Sequence, residues 1–273
     1  MWRPLVFFLG LVLSCSVLAG CGGDASFSVT TTVVSGEYTQ DIWVTGPDAA
    51  DSDEWGTWPV VYLMHGLGGT GEGLSVMAAE LAQHGLVVFA PSYRSTEPQH
   101  IEQDAECGYR YSMMVAEDYG GDPSTPVAVG HSMGATLSLF GGLTDQIYGP
   151  GGAFDGCYSG TKRTDLIVPI AGCHYEFEGD AFGFDPSPFA NQDARIVMVV
   201  GGDDDVCAPW QSRDAARELE AIGYDVELIE VADGDHANVV FFTIDDGAWI
   251  SAPEDPIGTE VVEIILDAIE EMA

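Results

Sequence analysis

The sequence predicts an α/β fold built on a doubly wound, mostly parallel sheet with an antiparallel N-terminal edge. Continuous apolar runs such as Trp58–Met64 are typical of strands that are buried on both faces of a parallel sheet. These runs alternate with stretches of helical periodicity, one of which extends from Leu74 to Leu81 and ends at Gly85. Because the alternation continues over most of the 273 residues, it favours one large α/β unit.

The remaining elements follow from the same two patterns. Residues 27–34 and 38–44 alternate apolar and polar side chains, which predicts an antiparallel hairpin at the edge of the sheet. Further strands are expected at 86–90, 126–129, 166–170, 195–200 and 226–231, and helices at 105–118, from 135 onward, at 212–222 and near 261–268. We expect no large lid, since only 146–164 and 172–194 are long insertions.

The first 20 residues are predicted to be an export signal rather than part of the fold. Arg3 precedes an apolar run, Leu5–Leu13, that is too short to span a bilayer. Leu18–Cys21 resembles the lipobox of bacterial lipoproteins, in which the cysteine is lipidated and becomes the N-terminus. This implies a chain anchored to the cell envelope through Cys21, with residues 21–26 as a tether and 27–273 as one domain. The alternative is an ordinary cleaved signal peptide with an incidental cysteine.

The charge balance excludes some partners. The chain has 44 acidic and 8 basic residues, a formal net charge of −36, so nucleic acid and anionic lipid are not expected ligands. The acidic residues are scattered along the whole chain, which favours adaptation to high salt over the alternative of a merely well-solvated surface.

A candidate nucleophile lies in the segment Gly130–Gly134, whose sequence is Gly-His-Ser-Met-Gly. It follows a predicted strand and precedes a predicted helix, which is the context in which a G-x-S-x-G motif presents its serine above a sheet. Ser132 is therefore the predicted nucleophile, and it needs a base to remove its proton during attack.

Elimination among the six histidines selects the base. His65 and His131 lie within glycine turns, and His84 is predicted to end a helix. His100 is in a loop before the serine, and His174 could line the pocket. His236 follows the last predicted strand, where the base belongs in the order Ser–Asp–His. We therefore expect His236 to be the base, and place His65, His131, His174 and Tyr175 in the substrate pocket.

The acid that orients the histidine should follow the preceding strand, where three consecutive carboxylates, Asp203, Asp204 and Asp205, are available. The spacing from Gly202 and to Pro209 favours Asp205. For the oxyanion, two backbone amides are expected: that of Met133, directly after the nucleophile, and that of Leu67, in the glycine turn after the Trp58–Met64 strand.

Taken in order, His65–Gly69, Gly130–Gly134, Asp205–Pro209 and His236 resemble a serine α/β-hydrolase, and the resemblance covers nearly the whole chain after residue 27. More narrowly, three segments resemble those of bacterial cutinases and polyester hydrolases, with dienelactone-hydrolase-like esterases as related enzymes: Leu81–Val88, the serine motif Gly130–Gly134, and the Asp-x-x-Ala-Pro segment Asp205–Pro209. Those enzymes often carry an aromatic residue where this chain has Leu67.

Four cysteines remain besides Cys15 and Cys21 of the export segment. Cys173 and Cys207 follow strands that should be neighbours, so we expect a Cys173–Cys207 disulfide, and by elimination a Cys107–Cys157 disulfide. The alternative is free, buried thiols. The cysteine and histidine spacings do not resemble a metal site, so neither a metal nor another cofactor is expected.

These patterns together predict an exported, monomeric serine esterase that acts on a small or polymeric ester through an acyl-enzyme. Two alternatives stay open: another acyl hydrolase of the same fold, such as a peptidase or a dienelactone-type hydrolase, and an inactive binding protein. The residues of the loops set specificity, so the sequence leaves the acyl and alcohol groups undetermined.

The charge count makes a prediction about stability. The melting temperature should rise as salt is added to a low-salt buffer, because screening weakens repulsion among the carboxylates; at about 1 M salt the Debye length is only about 3 Å. Differential scanning calorimetry over a sodium chloride series measures this. A melting temperature that stays flat or falls would contradict adaptation to high salt.

Overall fold

The computed structural model describes residues 26–35, 38–47, 56–144, 164–175, 191 and 193–272. Eight strands form the main sheet: β1 (Ser26–Ser35), β2 (Tyr38–Pro47), β3 (Trp58–Met64), β4 (Val87–Pro91), β5 (Gly121–His131), β6 (Leu166–Ile170), β7 (Arg195–Gly201) and β8 (Asp225–Val231). Five helices accompany them: α1 (Ser75–Gln83), α2 (Pro98–Val115), α3 (Met133–Leu143), α4 (Trp210–Ala221) and α5 (Pro256–Glu270). A separate hairpin is formed by β9 (Phe242–Asp245) and β10 (Ala248–Ser251).

The strand order in the main sheet is β1-β2-β4-β3-β5-β6-β7-β8. β1 pairs with β2, and β2 with β4, in antiparallel fashion, whereas all the other neighbours are parallel. The predicted mostly parallel sheet with an antiparallel N-terminal edge is therefore confirmed. Since parallel strands end at a common edge, the loops after β3, β5, β6, β7 and β8 meet there, where open α/β sheets bind ligands.

Helices cover both faces of the sheet, which explains the continuous apolar runs. Val61 and Leu63 of β3 pack with Met77 of α1 and Ile265 of α5 in one core cluster. The intervening Tyr62 points to the opposite face, into a second cluster with residues of α2 and α3. Successive residues of a central strand thus enter different cores, and both must be apolar.

The second helix begins earlier than predicted. α2 starts at Pro98, not at residue 105, with the proline in the first turn, where its missing amide hydrogen costs nothing. The first turns are rich in polar residues, which hides the helical periodicity. One of them, the buried Asp104, accepts hydrogen bonds from Nε of Arg94 at 2.6 Å and Nη2 of Arg94 at 2.9 Å. Part of the polar face of α2 is therefore buried, and the hydrophobic periodicity of the sequence does not reveal a buried polar face.

The β9–β10 hairpin was not predicted, although a sequence signal for it exists. Asp246 and Gly247 form a two-residue turn with φ of 47° and 80°, which matches the Asp-Gly preference of hairpin turns with two left-handed residues. Phe242–Asp245 alternates apolar and polar residues, but Ala248–Ser251 does not, so the hydrophobic pattern alone does not predict a strand pair here.

Some predictions fall outside the described residues. The structure does not describe residues 1–25, 145–163 and 176–190. The signal segment, the lipidation of Cys21, the domain limits and the absence of a lid therefore stay predictions. Within the described ranges, no helix combines the length and apolar character that crossing a membrane requires.

Candidate active site

Ser132 lies at the turn between β5 and α3, and its backbone is strained. Its φ of 58° and ψ of −121° are uncommon for a residue with a Cβ atom. The Ser132 amide donates a hydrogen bond to the Ile170 carbonyl of β6 at 2.9 Å, which ties the turn to the sheet. Strain of this kind costs about 1–3 kcal/mol and persists where the surrounding structure enforces it. Here it presents a serine at a sharp strand-to-helix turn, as the motif predicts.

The glycines on both sides of Ser132 allow the backbones to meet. A Cβ atom on Gly130 would lie 2.0 Å from the carbonyl oxygen of Gly134, and one on Gly134 would lie 2.3 Å from the carbonyl oxygen of Met64. Neither distance is compatible with a side chain. The turn therefore requires glycine at both positions of the G-x-S-x-G motif.

The structure brings His236 to Ser132. Nε2 of His236 lies 3.0 Å from Oγ of Ser132, and both side chains are buried. The turn that carries the histidine is built by Asp235, whose Oδ1 accepts hydrogen bonds from the amides of Ala237 at 2.8 Å and Asn238 at 2.7 Å. These hydrogen bonds from the turn to the Asp235 side chain fix the backbone that carries His236, and thereby the position of its imidazole ring.

Asp204, and not Asp205, contacts the histidine. Nδ1 of His236 lies 2.8 Å from Oδ2 of Asp204, whose side chain is fully buried. Asp205 and Asp203 are exposed. The prediction of Asp205 as the partner of His236 is therefore wrong by one residue.

The hydrogen bonding of the turn explains the choice. Oδ1 of Asp204 accepts hydrogen bonds from the amides of Val206 at 2.9 Å and Cys207 at 2.8 Å, so its side chain folds inward over the turn. Its second oxygen is left for His236. Spacing to Pro209 does not reveal which carboxylate forms such a turn, because all three aspartates have the same local propensity for it.

Backbone hydrogen bonds hold the loop after β7 against the loop after β8. The amide of Gly202 donates to the Val231 carbonyl at 2.8 Å, and that of Asp203 donates to the Gly234 carbonyl at 2.9 Å. These contacts lie directly beside Asp204 and His236. The distance between the carboxylate and the imidazole is thus set by main-chain pairing, which preorganises the pair.

His131 and His65 line the cleft, in agreement with their predicted placement. Nε2 of His131 lies 2.8 Å from the carbonyl oxygen of His236, and burial lowers the pKa of His131 to about 3, so the neutral ring donates this bond. Burial also lowers the pKa of His65 to about 4; its Nδ1 lies 2.7 Å from the Gly66 carbonyl, and its ring stacks on Tyr93. Both histidines are neutral supports rather than charged groups at neutral pH.

His174 and Tyr175 do not line the cleft formed by the described residues, contrary to the prediction. His174 is fully buried under α3, with Nδ1 3.2 Å from Oγ1 of Thr136, and burial lowers its pKa to about 4. Tyr175 stacks on Trp210 of α4. Both residues follow β6 as expected, but the chain turns them toward the helices, a direction that sequence position does not determine.

The two residues whose amides are predicted to bind the oxyanion lie on either side of the candidate site, in α3 and in the loop after β3. Met133 is the first residue of α3, and its amide is among the four at a helix start that have no intrahelical partner. Gly66 lies against Ser132, since a Cβ atom there would be 3.3 Å from Oγ, and Leu67 follows it in the cleft wall. The turn is held by the amide of Gly68, which donates to Oγ of Ser95 at 2.8 Å.

A disulfide joins Cys173 and Cys207, as predicted. It lies next to the candidate catalytic pair: Sγ of Cys207 is 3.9 Å from Oγ of Ser132 and 3.8 Å from Nε2 of His236. Cys107 is buried, and Cys157 lies outside the described residues, so the second pairing stays a prediction.

The cleft above Ser132 has a volume of about 610 Å³, within the range of small-molecule sites. Its walls are mostly apolar or glycine-rich. Beside the residues already described, they include Thr70, Leu74, Val206, Val240, Phe242 and Trp249. In the part of the chain that the structure describes, no group of three His, Cys, Asp or Glu side chains is placed to hold a metal ion.

Comparison with solved structures defines the class of fold. Thermogutta terrifontis esterase 2, in a form phosphoramylated by tabun, superposes with a TM-score of 0.70 at 14% identity, covering 90% of this chain and 95% of that chain. Its apo form gives a TM-score of 0.68 at 14% identity, with coverage of 93% and 97%. Its butyrate-bound form gives 0.66 at 13% identity, with coverage of 89% and 94%. The chain therefore has an α/β-hydrolase fold, as predicted.

Scans of the sequence against protein-family models and against curated proteins give no match. At 13–14% identity the structural likeness shows the fold alone. What the site does must therefore be argued from its geometry.

Sequence reasoning did not identify the carboxylate beside His236 or the two aromatic residues of the hairpin that line the cleft. Asp204 was one of three candidate carboxylates, and the Asx-type turn that distinguishes it becomes evident only from its hydrogen bonds. Phe242 and Trp249 belong to the hairpin that was not predicted; the Asp246-Gly247 turn was the signal that could have identified it.

The assignment of Asp204 makes a sharp comparison possible between adjacent residues. Asp204→Asn should slow phosphonylation of Ser132 by a fluorophosphonate probe roughly 10²–10⁴-fold, because the amide does not hold the reactive imidazole tautomer. Asp205→Asn removes the same charge one residue away and should react at the wild-type rate. Labelling that is quenched at a series of times, followed by intact-protein mass spectrometry, measures the rate for each variant. Equal loss in the two variants would refute the assignment.

The disulfide makes a second prediction. Replacing Cys173 and Cys207 together by alanine should lower the free energy of unfolding by about 2–4 kcal/mol. It should also reduce the rate of Ser132 labelling in protein that is still folded, since the turn whose Cys207 amide binds Asp204 would no longer be tied to the loop after β6. Urea denaturation and probe labelling measure the two effects, and circular dichroism verifies the fold. Peptide mapping without reduction that shows a Cys107–Cys173 link, or free thiols at both positions, would contradict the pairing.

Proposed function

We propose that this protein is a serine hydrolase that cleaves carboxylic esters through an acyl-enzyme. One observation carries the proposal: a continuous chain of two hydrogen bonds, 3.0 Å from Oγ of Ser132 to Nε2 of His236 and 2.8 Å from Nδ1 of His236 to Oδ2 of Asp204. A strained serine, a histidine within reach of its hydroxyl and a buried carboxylate behind that histidine form the arrangement of an activated nucleophile.

The geometry supports the following sequence of steps. Oγ of Ser132 attacks the ester carbonyl while Nε2 of His236 accepts the hydroxyl proton, and the resulting imidazolium is stabilised by the Asp204 carboxylate. The amides of Met133 and Leu67 are proposed to hold the oxyanion. His236 then gives the proton to the leaving alcohol oxygen. In the second half, His236 activates a water molecule that cleaves the acyl-enzyme and releases the acid.

The structural neighbours support an ester as the substrate. Forms of Thermogutta terrifontis esterase 2 are described as butyrate-bound, propionate-bound and phosphorylated by paraoxon. The mostly apolar walls of the cleft above Ser132 suit an uncharged ester with apolar substituents. Cutinase-like action on polyesters is a narrower proposal, supported by the sequence motifs.

Two other readings are less well supported. A peptidase or dienelactone-type hydrolase would use the same three side chains, so the distinction rests on the substrate tested. An inactive binding protein has no need of a serine at φ 58° or of the paired hydrogen bonds to His236. Because such strain is costly without a function, the geometry favours an enzyme.

We also propose that the protein works as a monomer outside the cytoplasm, anchored to the cell envelope through lipidated Cys21. This proposal rests on the sequence of residues 1–21. The Cys173–Cys207 disulfide supports it, because disulfides persist mainly in exported proteins.

A panel of p-nitrophenyl esters of increasing acyl length tests the activity. Ser132→Ala and His236→Ala should each lower kcat on the order of 10⁵–10⁶-fold, to a residual rate that comes from substrate binding and the oxyanion amides. His174→Ala should retain most of the activity, since His174 lies under α3. Circular dichroism verifies that each variant is folded. Loss of activity in His174→Ala but not in His236→Ala would overturn the assignment of the base, and hydrolysis of p-nitroanilides but not of esters would favour a peptidase.

A further inference from the structure

The β9–β10 hairpin places an exposed tryptophan against the histidine of the site. Trp249 is 46% exposed and lines the cleft. Its ring centroid lies 6.0 Å from those of His236 and His131, with interplanar angles of 80° and 69°. Large apolar side chains that remain half exposed at the mouth of a cleft leave surface available for a ligand.

The register of the hairpin shows that one of its faces is directed at the cleft. Trp249 pairs with Ile244, and Ser251 with Phe242, so these four residues share one face. Phe242 and Trp249 both line the cleft, and their rings meet edge to face at 5.6 Å. Ile250 lies on the other face, is 45% exposed and does not line the cleft.

Both ends of the hairpin are anchored next to His236. The amide of Phe242 donates to the Ala237 carbonyl at 3.0 Å, and the amide of Ala252 donates to the Phe241 carbonyl at 2.7 Å. Phe241 is fully buried with φ 65°, and its ring lies so close to Gly258 of α5 that a Cβ atom there would be 2.5 Å from it. The aromatic wall formed by Phe242 and Trp249 is therefore held in a fixed place relative to the His236 imidazole. This lowers the entropic cost for a ligand that binds against the wall.

The chemistry of ester cleavage identifies the part of the substrate that meets this wall. The alcohol oxygen takes its proton from Nε2 of His236, so the alcohol group must leave from beside that imidazole. In the described cleft, the Trp249 ring lies beside His236, and Phe242 packs against Trp249. An aromatic alcohol group placed there can form the edge-to-face or offset contacts that aromatic pairs prefer.

We propose that Trp249 is a specificity-determining residue that forms the alcohol subsite and selects esters with an aromatic or bulky apolar alcohol group. This inference rests on the proposed ester hydrolysis. It assigns to the hairpin a role in substrate choice that is separate from the chemistry at Ser132.

The test compares two ester series in wild type, Trp249→Ala, Trp249→Phe and the matched control Ile250→Ala. The first series keeps the acetyl group and varies the alcohol: ethyl, phenyl and 2-naphthyl acetate. The second keeps p-nitrophenol and varies the acyl group from acetate to hexanoate. The value of kcat/KM is compared, since it reports acylation, the step in which the alcohol leaves, even if deacylation limits kcat. Each variant is normalised to wild type, which cancels the intrinsic reactivity of each ester.

Trp249→Ala should lower kcat/KM about tenfold for 2-naphthyl acetate, the size of one good aromatic contact, and less than about twofold for ethyl acetate. Trp249→Phe should retain most of the preference, and Ile250→Ala should match wild type. Within the acyl series, Trp249→Ala should lower every member by the same factor, because all share one alcohol.

Other outcomes overturn the inference. An equal loss for ethyl and naphthyl acetate would mean that Trp249 only supports His236. A loss that changes with acyl length would place Trp249 in the acyl subsite. A preference unchanged in Trp249→Ala would remove the residue from specificity altogether. If wild type hydrolyses no ester of either series, the proposed function itself fails, and that result is distinct from the other three.

Discussion

The site depends on the close approach of three backbone segments at the serine turn: the end of β5, the start of α3 and the end of β3. Gly130 at the end of β5 lies against the Gly134 carbonyl at the start of α3, and Gly134 lies against the Met64 carbonyl at the end of β3. This contact holds Ser132 at φ 58°. It also places the loop after β3 beside Oγ, because that loop begins where β3 ends. The same backbone contact therefore positions both the candidate nucleophile and the residues of the candidate oxyanion amides.

The histidine and the carboxylate are positioned by a different device. The loops after β7 and β8 pair through main-chain hydrogen bonds, and each loop is further closed by its own aspartate, Asp204 or Asp235. The Cys173–Cys207 bridge then ties the loop after β6 to the same assembly. His131 completes the support, since its neutral ring donates to the carbonyl of His236. Little in this arrangement needs to move when a substrate arrives, which suits electrostatic preorganisation.

The hairpin after His236 differs in kind from the rest of the fold. It does not belong to the main sheet, and its strands contain only four residues each. Its base, however, is held by Phe241 in the core and by main-chain pairing near the histidine. A small element of this kind can vary without disturbing the sheet, and loops around a fixed catalytic centre are where such folds acquire their specificity.

Sequence patterns were sufficient to predict the sheet with its antiparallel edge and the Cys173–Cys207 disulfide, and to select Ser132 and His236, which the structure places within hydrogen-bond distance of each other. Apolar runs and glycine turns are local signals, and the order of parallel strands brings their carboxyl ends to one edge. Three features depend on long-range contacts: the contact of His236 with Asp204 rather than with its neighbour, the orientation of His174 and Tyr175 away from the cleft, and the edge-on placement of Trp249 beside the imidazole. In each of these cases the local propensities were equal or weak. Hydrogen bonds and packing between loops that are distant in sequence decided the outcome, because they select one orientation among several that the chain itself permits.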